Sequence, residues 1–126
     1  MILVDTSVII ETLRGNAVYK KEFDEIGYQN FSISSITKSE LIVGCRSKQE
    51  LTSLRKDIRL IKVYNVVEEI AELSNELLEN YFLSHGLLIP DSLIAATALY
   101  YDLALYTLNK KDFRYISKLK LYVPEK

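Results

Sequence analysis

MILVDTSVII, residues 1–10, sets three apolar residues, Ile2, Leu3 and Val4, directly against an acid, Asp5. The apolar run reads as a buried strand, and TSVIIETLRG (6–15) reads as the helix that follows, with Gly15 placed to end it. The same pattern recurs along the chain. FSISS (31–35) alternates as a strand does, and TKSELIVG (37–44) follows as a helix opened by Thr37, with Glu40 in its first turn and Gly44 at its end. LLIP (87–90) leads to Asp91 at the start of PDSLIAATALYY (90–101), a helix apolar on nearly every side. The β-prone run LALYTL (103–108) carries Thr107 and leads to Asn109 and Asp112.

The remaining segments fill the gaps between these units. An amphipathic helix is expected over Tyr19 to Ile26 and another over Gln49 to Asp57, with LIKVY (60–64) as a strand. VVEEIAELSNELLENYF (66–82) places Val67, Ile70, Leu73, Leu77, Leu78 and Tyr81 on one helical face, its glutamates opposite and Gly86 just beyond. LKLYV (119–123) reads as a last short β run. Strands alternating with helices predict an α/β fold, a three-layer α/β/α sandwich with a largely parallel central sheet. In such sheets ligands gather outside the carboxyl ends of the strands, where Asp5, Glu40, Asp91 and Asp112 all fall.

The 126 residues suit a single domain, nearly half apolar and about a quarter charged, which argues against disorder. No apolar run nears the roughly 20 residues that span a bilayer, and no signal peptide is evident. The single Cys45 forms no internal disulfide and is expected to pack as a small hydrophobe. These features fit a soluble, cytoplasmic protein. A net charge of −1 excludes a uniformly basic nucleic-acid binder, yet the charges are segregated. Arg46, Lys48, Arg55, Lys56, Arg59 and Lys62 form one basic block, and Lys110, Lys111, Arg114, Lys118 and Lys120 another. Residues 63–92 hold no Lys or Arg and carry Glu68, Glu69, Glu72, Glu76, Glu79 and Asp91. Solvated helix faces account for most such blocks.

Helix capping explains each acid taken singly. TKSE, with Thr37 and Glu40, and NKKD, with Asn109 and Asp112, match the capping-box spacing, and Asp5 or Thr6 caps the first helix equally well. The set is another matter. Two carboxylates about 5 Å apart repel by roughly 3 kcal/mol at an effective dielectric near 20, and a cleft holding four has several such pairs. Such a cluster takes up protons or a cation. Hard oxygen donors without a His–Cys set suit Mg²⁺ or Mn²⁺.

Three segments in order, VDTSVIIETLRG (4–15), ISSITKSELIVG (33–44) and IPDSLIAATALYYDLALYTLNKKDF (89–113), resemble the signature segments of PIN-domain ribonucleases, most closely the toxins of VapBC toxin–antitoxin pairs. The resemblance runs from the first strand to Phe113 and weakens in the helical middle and after Ser117. It implies that Asp5, Glu40 and Asp91 are the three core acids and Asp112 the fourth, all of them catalytic and metal-binding. It also implies that Thr6 or Ser7 supports metal-bound waters and that Thr107 and Asn109 support the fourth acid. The implied activity is Mg²⁺-dependent endonucleolytic cleavage of structured RNA, tRNA or rRNA, leaving 5′-phosphate and 3′-hydroxyl ends. The implied partners are a VapB-type antitoxin that obstructs the cleft and a second copy of the chain.

Other features carry less. Lys110 and Lys111 are candidate phosphate contacts, the sole histidine, His85, suits a capping or surface role, and the nine tyrosines read as core or interface. Exposed apolar residues on the first two helices would suit a dimer or antitoxin interface. Two other classes of function stay open at this point. In one the acids only cap helices in a non-catalytic binding module. The other is a receiver-type regulatory domain, although LIKVYNV (60–66) lacks the aspartate that fold requires at the end of a central strand. Asn caps about as well as Asp, so Asn at position 5 or 91 separates capping from metal binding.

Overall fold

The computed structural model describes residues 1–124. Its sheet has four short strands, β1 (Ile2–Val4), β2 (Phe31–Ser34), β3 (Lys62–Tyr64) and β4 (Ala104–Tyr106), in the order β3-β2-β1-β4, every pairing parallel. Six α-helices connect and cover them: α1 (Thr6–Leu13), α2 (Ala17–Ile26), α3 (Ser35–Val43), α4 (Lys48–Ile58), α5 (Glu68–His85) and α6 (Ile89–Tyr100). The expected three-layer α/β sandwich is what the chain forms.

Successive strand residues point to opposite faces, so β1 feeds two cores. Leu3 and Leu105 pack with Ile70 and Leu77 of α5 and Ile94, Ala95 and Ala98 of α6. Val4 and Tyr106 pack on the other side with Phe31, Ile33 and residues of α1, α2 and α4, including Val8, Phe23 and Leu54. Leu3 and Val4 are wholly buried, each contributing about 1.5–3 kcal/mol by the transfer of its side chain from water. α6 approaches the sheet closely because its buried positions Ser92, Ala95, Ala96, Thr97 and Ala98 are small, as are the facing Ser32 and Ser34 of β2. α3 touches both cores, Leu41 packing into one and Ile36 against the other, and so lies across the carboxyl edge of the sheet.

Several local expectations are corrected. The helix after β2 begins at Ser35, capped by Ser34, whose side chain accepts the Ile36 N–H. Thr37 is therefore inside α3 and fully buried, and Glu40 lies in the second turn. Asn109 and Asp112 form no capping box. They bound a single 3₁₀ turn, Lys110–Asp112, without a side-chain cap. LKLYV contributes one parallel bridge, Leu121 to Leu105, rather than a strand. α2 starts two residues before Tyr19 because Asn16 caps it, accepting the Val18 N–H. α5 runs on to His85 and ends at Gly86, whose φ of 70° is left-handed.

Strand order reverses at β1, which has β2 and β3 on one side and β4 on the other. Crevices at such switch points, outside the strand carboxyl ends, are where open α/β sheets bind ligands. Here the switch point, and the crevice it predicts, lies between β1 and β4.

Candidate active site

Asp5 leaves β1 at this crevice. Its backbone N–H continues the ladder to Tyr106 O at 2.8 Å, and its extended conformation (φ −73°, ψ 156°) makes it the cap of α1. The carboxylate is buried and takes three hydrogen bonds. Oδ1 accepts the Thr6 N–H at 2.8 Å, while Oδ2 accepts the Ser7 hydroxyl at 2.9 Å and the Thr107 hydroxyl at 2.8 Å. The two hydroxyls are themselves acceptors, Ser7 from the Leu108 N–H at 3.1 Å and Thr107 from the Asn109 N–H at 3.0 Å. One acid thus ties residues 107–109, after β4, to the start of α1.

Thr107 is buried at the middle of this network. Thr107→Val keeps the shape but leaves Asp5 Oδ2 short of one donor and the Asn109 N–H without its acceptor. The expected cost is about 1–3 kcal/mol in urea denaturation, largely avoided by Thr107→Ser, which keeps the hydroxyl.

Glu40 reaches the crevice from α3. The Thr6 hydroxyl donates to its Oε1 at 2.8 Å and lies 3.2 Å from the Thr37 hydroxyl. The exposed Glu40 is thereby held at the rim by a hydroxyl that is itself propped from the buried side. Sequence reasoning read Thr37 as a cap and missed this support. The available signal was its three-residue spacing from Glu40, which puts both side chains on one helix face.

Asp91 enters from the first turn of α6, beside Pro90, and is half-buried. Its side chain makes no hydrogen bond among the described residues, and it caps nothing. Burial raises its pKa from 3.8 to about 6, helped by the charges of Asp5, then Asp112, then Glu40. Asp5, Asp112 and Glu40 thus all lie within electrostatic reach of Asp91. Asp112, on the 3₁₀ turn after β4, is exposed, as are Lys110 and Lys111 beside it.

Capping accounts for Asp5; Asp91 caps nothing, and the helix dipole that favours an acid in the first turn of α6 contributes about 0.3–1 kcal/mol, less than the burial of its carboxylate costs. Among the described residues no group of three or more acids, histidines or cysteines already stands in metal-ligating geometry. The carboxylates lie within electrostatic reach of Asp91 without closing on a common point. Their chemistry still fits a hard divalent cation: the donors are all oxygens, negative charge is in excess, and Mg²⁺ keeps several waters of its own.

A PIN-domain family model matches residues 2–119. The chain belongs to the PIN-domain family. Among its relatives is ribonuclease VapC19 of Mycobacterium tuberculosis, 34% identical over 117 residues, covering 90% of this chain and 92% of that one. Ribonuclease VapC of Rickettsia bellii is 33% identical over 134 residues, covering 99% and 98%. A toxin–antitoxin complex from Klebsiella pneumoniae contains a chain with TM-score 0.80 and 31% identity, with 94% of this chain and 95% of that one covered. DNA-bound VapBC from Salmonella typhimurium superposes with TM-score 0.83, covering 97% and 98%, and at 23% identity that likeness speaks for the PIN fold alone.

Proposed function

We propose that this PIN-domain chain is a metal-dependent endoribonuclease and the toxin of a toxin–antitoxin pair, hydrolysing phosphodiester bonds of structured RNA, tRNA or rRNA. The observation that carries the reading is the half-buried Asp91, which makes no side-chain hydrogen bond among the described residues and whose pKa is raised to about 6 by burial first and then by the charges of Asp5, Asp112 and Glu40. Full-length relatives named as ribonucleases and solved toxin–antitoxin complexes support it. A VapB-type antitoxin as partner, a second copy of the chain and a cytoplasmic setting belong to the same proposal. Among the described residues no helix is long and apolar enough to cross a membrane.

Asp5, Asp91, Glu40 and Asp112 would hold Mg²⁺ or Mn²⁺, Asp5 and Asp91 as its main anchors. When bound, the ion supplies Lewis-acid polarisation of the phosphate and a lowered pKa for the attacking water. The chain's own groups do the rest. Thr6, Ser7 and Thr107 fix the orientation of Glu40 and Asp5 before substrate arrives. With Oε1 held by Thr6, Glu40 presents Oε2 to accept a proton from the attacking water. Asn109, through its backbone N–H on Thr107, keeps the loop carrying Asp112 against Asp5. Lys110 and Lys111 offset the acids by contacting neighbouring phosphates of the RNA.

The test is the chemistry of the cut. Incubation with tRNA or rRNA and Mg²⁺ is expected to release fragments with 5′-phosphate and 3′-hydroxyl ends, and EDTA is expected to stop the reaction. Fragments ending in 2′,3′-cyclic phosphate would mean that the 2′-hydroxyl attacks, and the reading would fail.

A further inference from the structure

His85 and Tyr115 form a face-to-face stack, ring centroids 4.0 Å apart and planes 8° from parallel. Tyr81 stands edge-on to both, 5.9 Å from His85 and 5.3 Å from Tyr115. The arrangement is braced: the Tyr81 hydroxyl accepts the Ser117 N–H at 3.1 Å, and the Ser84 hydroxyl lies 2.7 Å from His85 Nδ1. Tyr81 and Tyr115 pack onto the α5–α6 core, whereas His85 is exposed. No other ring among the described residues touches His85, and the residue is exposed. Core packing explains the two tyrosines and does not explain an ordered imidazole laid over them.

Through Tyr115 the stack also comes within reach of two of the acids. Tyr115 is three residues from Asp112, at most about 10 Å of extended chain, and His85 precedes Asp91 across the short α5–α6 connection. Burial raises the Tyr115 pKa, and Asp91 and Asp112 add to the rise, which places its phenol within their electrostatic reach. Phosphates approaching this ground meet repulsion from the carboxylates. A base face meets none, and an aromatic platform attracts it without charge.

We propose that His85, stacked on Tyr115 and flanked by Tyr81, is a platform for an unpaired nucleobase of the RNA, next to the scissile bond. This rests on the ribonuclease reading and gives it a base contact: the substrate is unpaired where it passes α5. Stacking on a pre-ordered ring pair costs little side-chain entropy and tolerates any base, so the platform selects for single-stranded character rather than sequence.

The test measures RNA binding in the Asp91→Asn background by fluorescence anisotropy. The probes are a short mixed-sequence single-stranded RNA and the same length of fully abasic ribose-phosphate chain. His85→Ala is expected to weaken binding of the base-bearing RNA about tenfold, the loss typical of one base–aromatic stack, and to leave the abasic probe unaffected. His85→Tyr is expected to restore binding. Equal affinity of Ala and His at position 85, an equal loss on the abasic probe, or no binding of RNA by the parent would each overturn the platform. Wild-type protein that cleaves no RNA, alongside intact His85-dependent binding, would overturn the ribonuclease reading alone.

Discussion

Asp91→Asn is expected to slow RNA cleavage in Mg²⁺ by on the order of a thousandfold, measured as kcat/KM on a labelled RNA. A divalent ion held here as proposed would be worth several kcal/mol to the transition state, and each 1.36 kcal/mol is tenfold. Asp91 is the better place to test this than Asp5. The carboxylate at position 91 makes no hydrogen bond among the described residues, so its exchange for an amide of the same size removes charge and little else. At position 5 an amide would turn a donor toward Ser7 and Thr107, which both donate to Oδ2. The hydroxyl oxygens already accept backbone N–H groups, and the lost acceptor would destabilise the network by about 1–3 kcal/mol. The expectation that Asn serves equally at both positions therefore fails at Asp5, where lost activity would confuse chemistry with folding.

The second expected effect has the opposite sign, on stability. In chelator at pH 7 the Asp91→Asn protein is expected to melt about 4–8 °C above the wild type. The pKa of Asp91 is about 6 in the folded chain against 3.8 as the ordinary value, so the folded state holds this proton more tightly than the unfolded one. Stability from protonation is complete below about pH 4 and is lost as pH rises through 6. Taken at face value the shift is worth about 3 kcal/mol, and solvent screening of a half-buried group reduces that to about 1–2 kcal/mol. The melting-temperature gap between variant and wild type should accordingly open between pH 4 and 7 and vanish at pH 4. Mg²⁺ should narrow it at pH 7 by stabilising the wild type alone. A gap that stays constant with pH would mean that Asp91 does not have the raised pKa assigned to it.

The parts of this site legible in the sequence are those fixed by local physics. Three apolar residues followed by Asp5 and a helical run dictate a strand, a turn and a capped helix within one short segment, and the chain folds so. Asp91 beside Pro90, opening an apolar helix, is equally local. Position along the strands told which loops carry the acids, since the carboxyl edge of a parallel sheet is common ground for every loop that leaves it.

What stayed hidden depends on contacts between distant segments. Ser34, Ser35 and Thr37 are all competent caps, and TKSE satisfies the spacing of a capping box. The choice is made by β2, whose pairing with β3 runs on to Ser34 opposite Tyr64 and so starts the helix at Ser35. LKLYV has the composition of a strand, yet only Leu121 bridges to β4, after Lys118 has turned the chain with φ 68°. The Thr6–Glu40 and Thr107–Asp5 hydrogen bonds join residues 34 and 102 positions apart, beyond the reach of any local pattern. His85 could be placed at a helix end from Gly86 alone, but its stacking partner Tyr115 lies on the far side of α6 and β4 in sequence.

The most direct measurement is a Mn²⁺ titration of chelator-stripped protein at pH 7, with free Mn²⁺ counted by electron paramagnetic resonance. Saturable uptake by the wild type, abolished in the folded Asp91→Asn protein, is the result expected if the four acids share a cation. Uptake that is absent from the wild type, or unchanged when Asp91 is replaced, would contradict it.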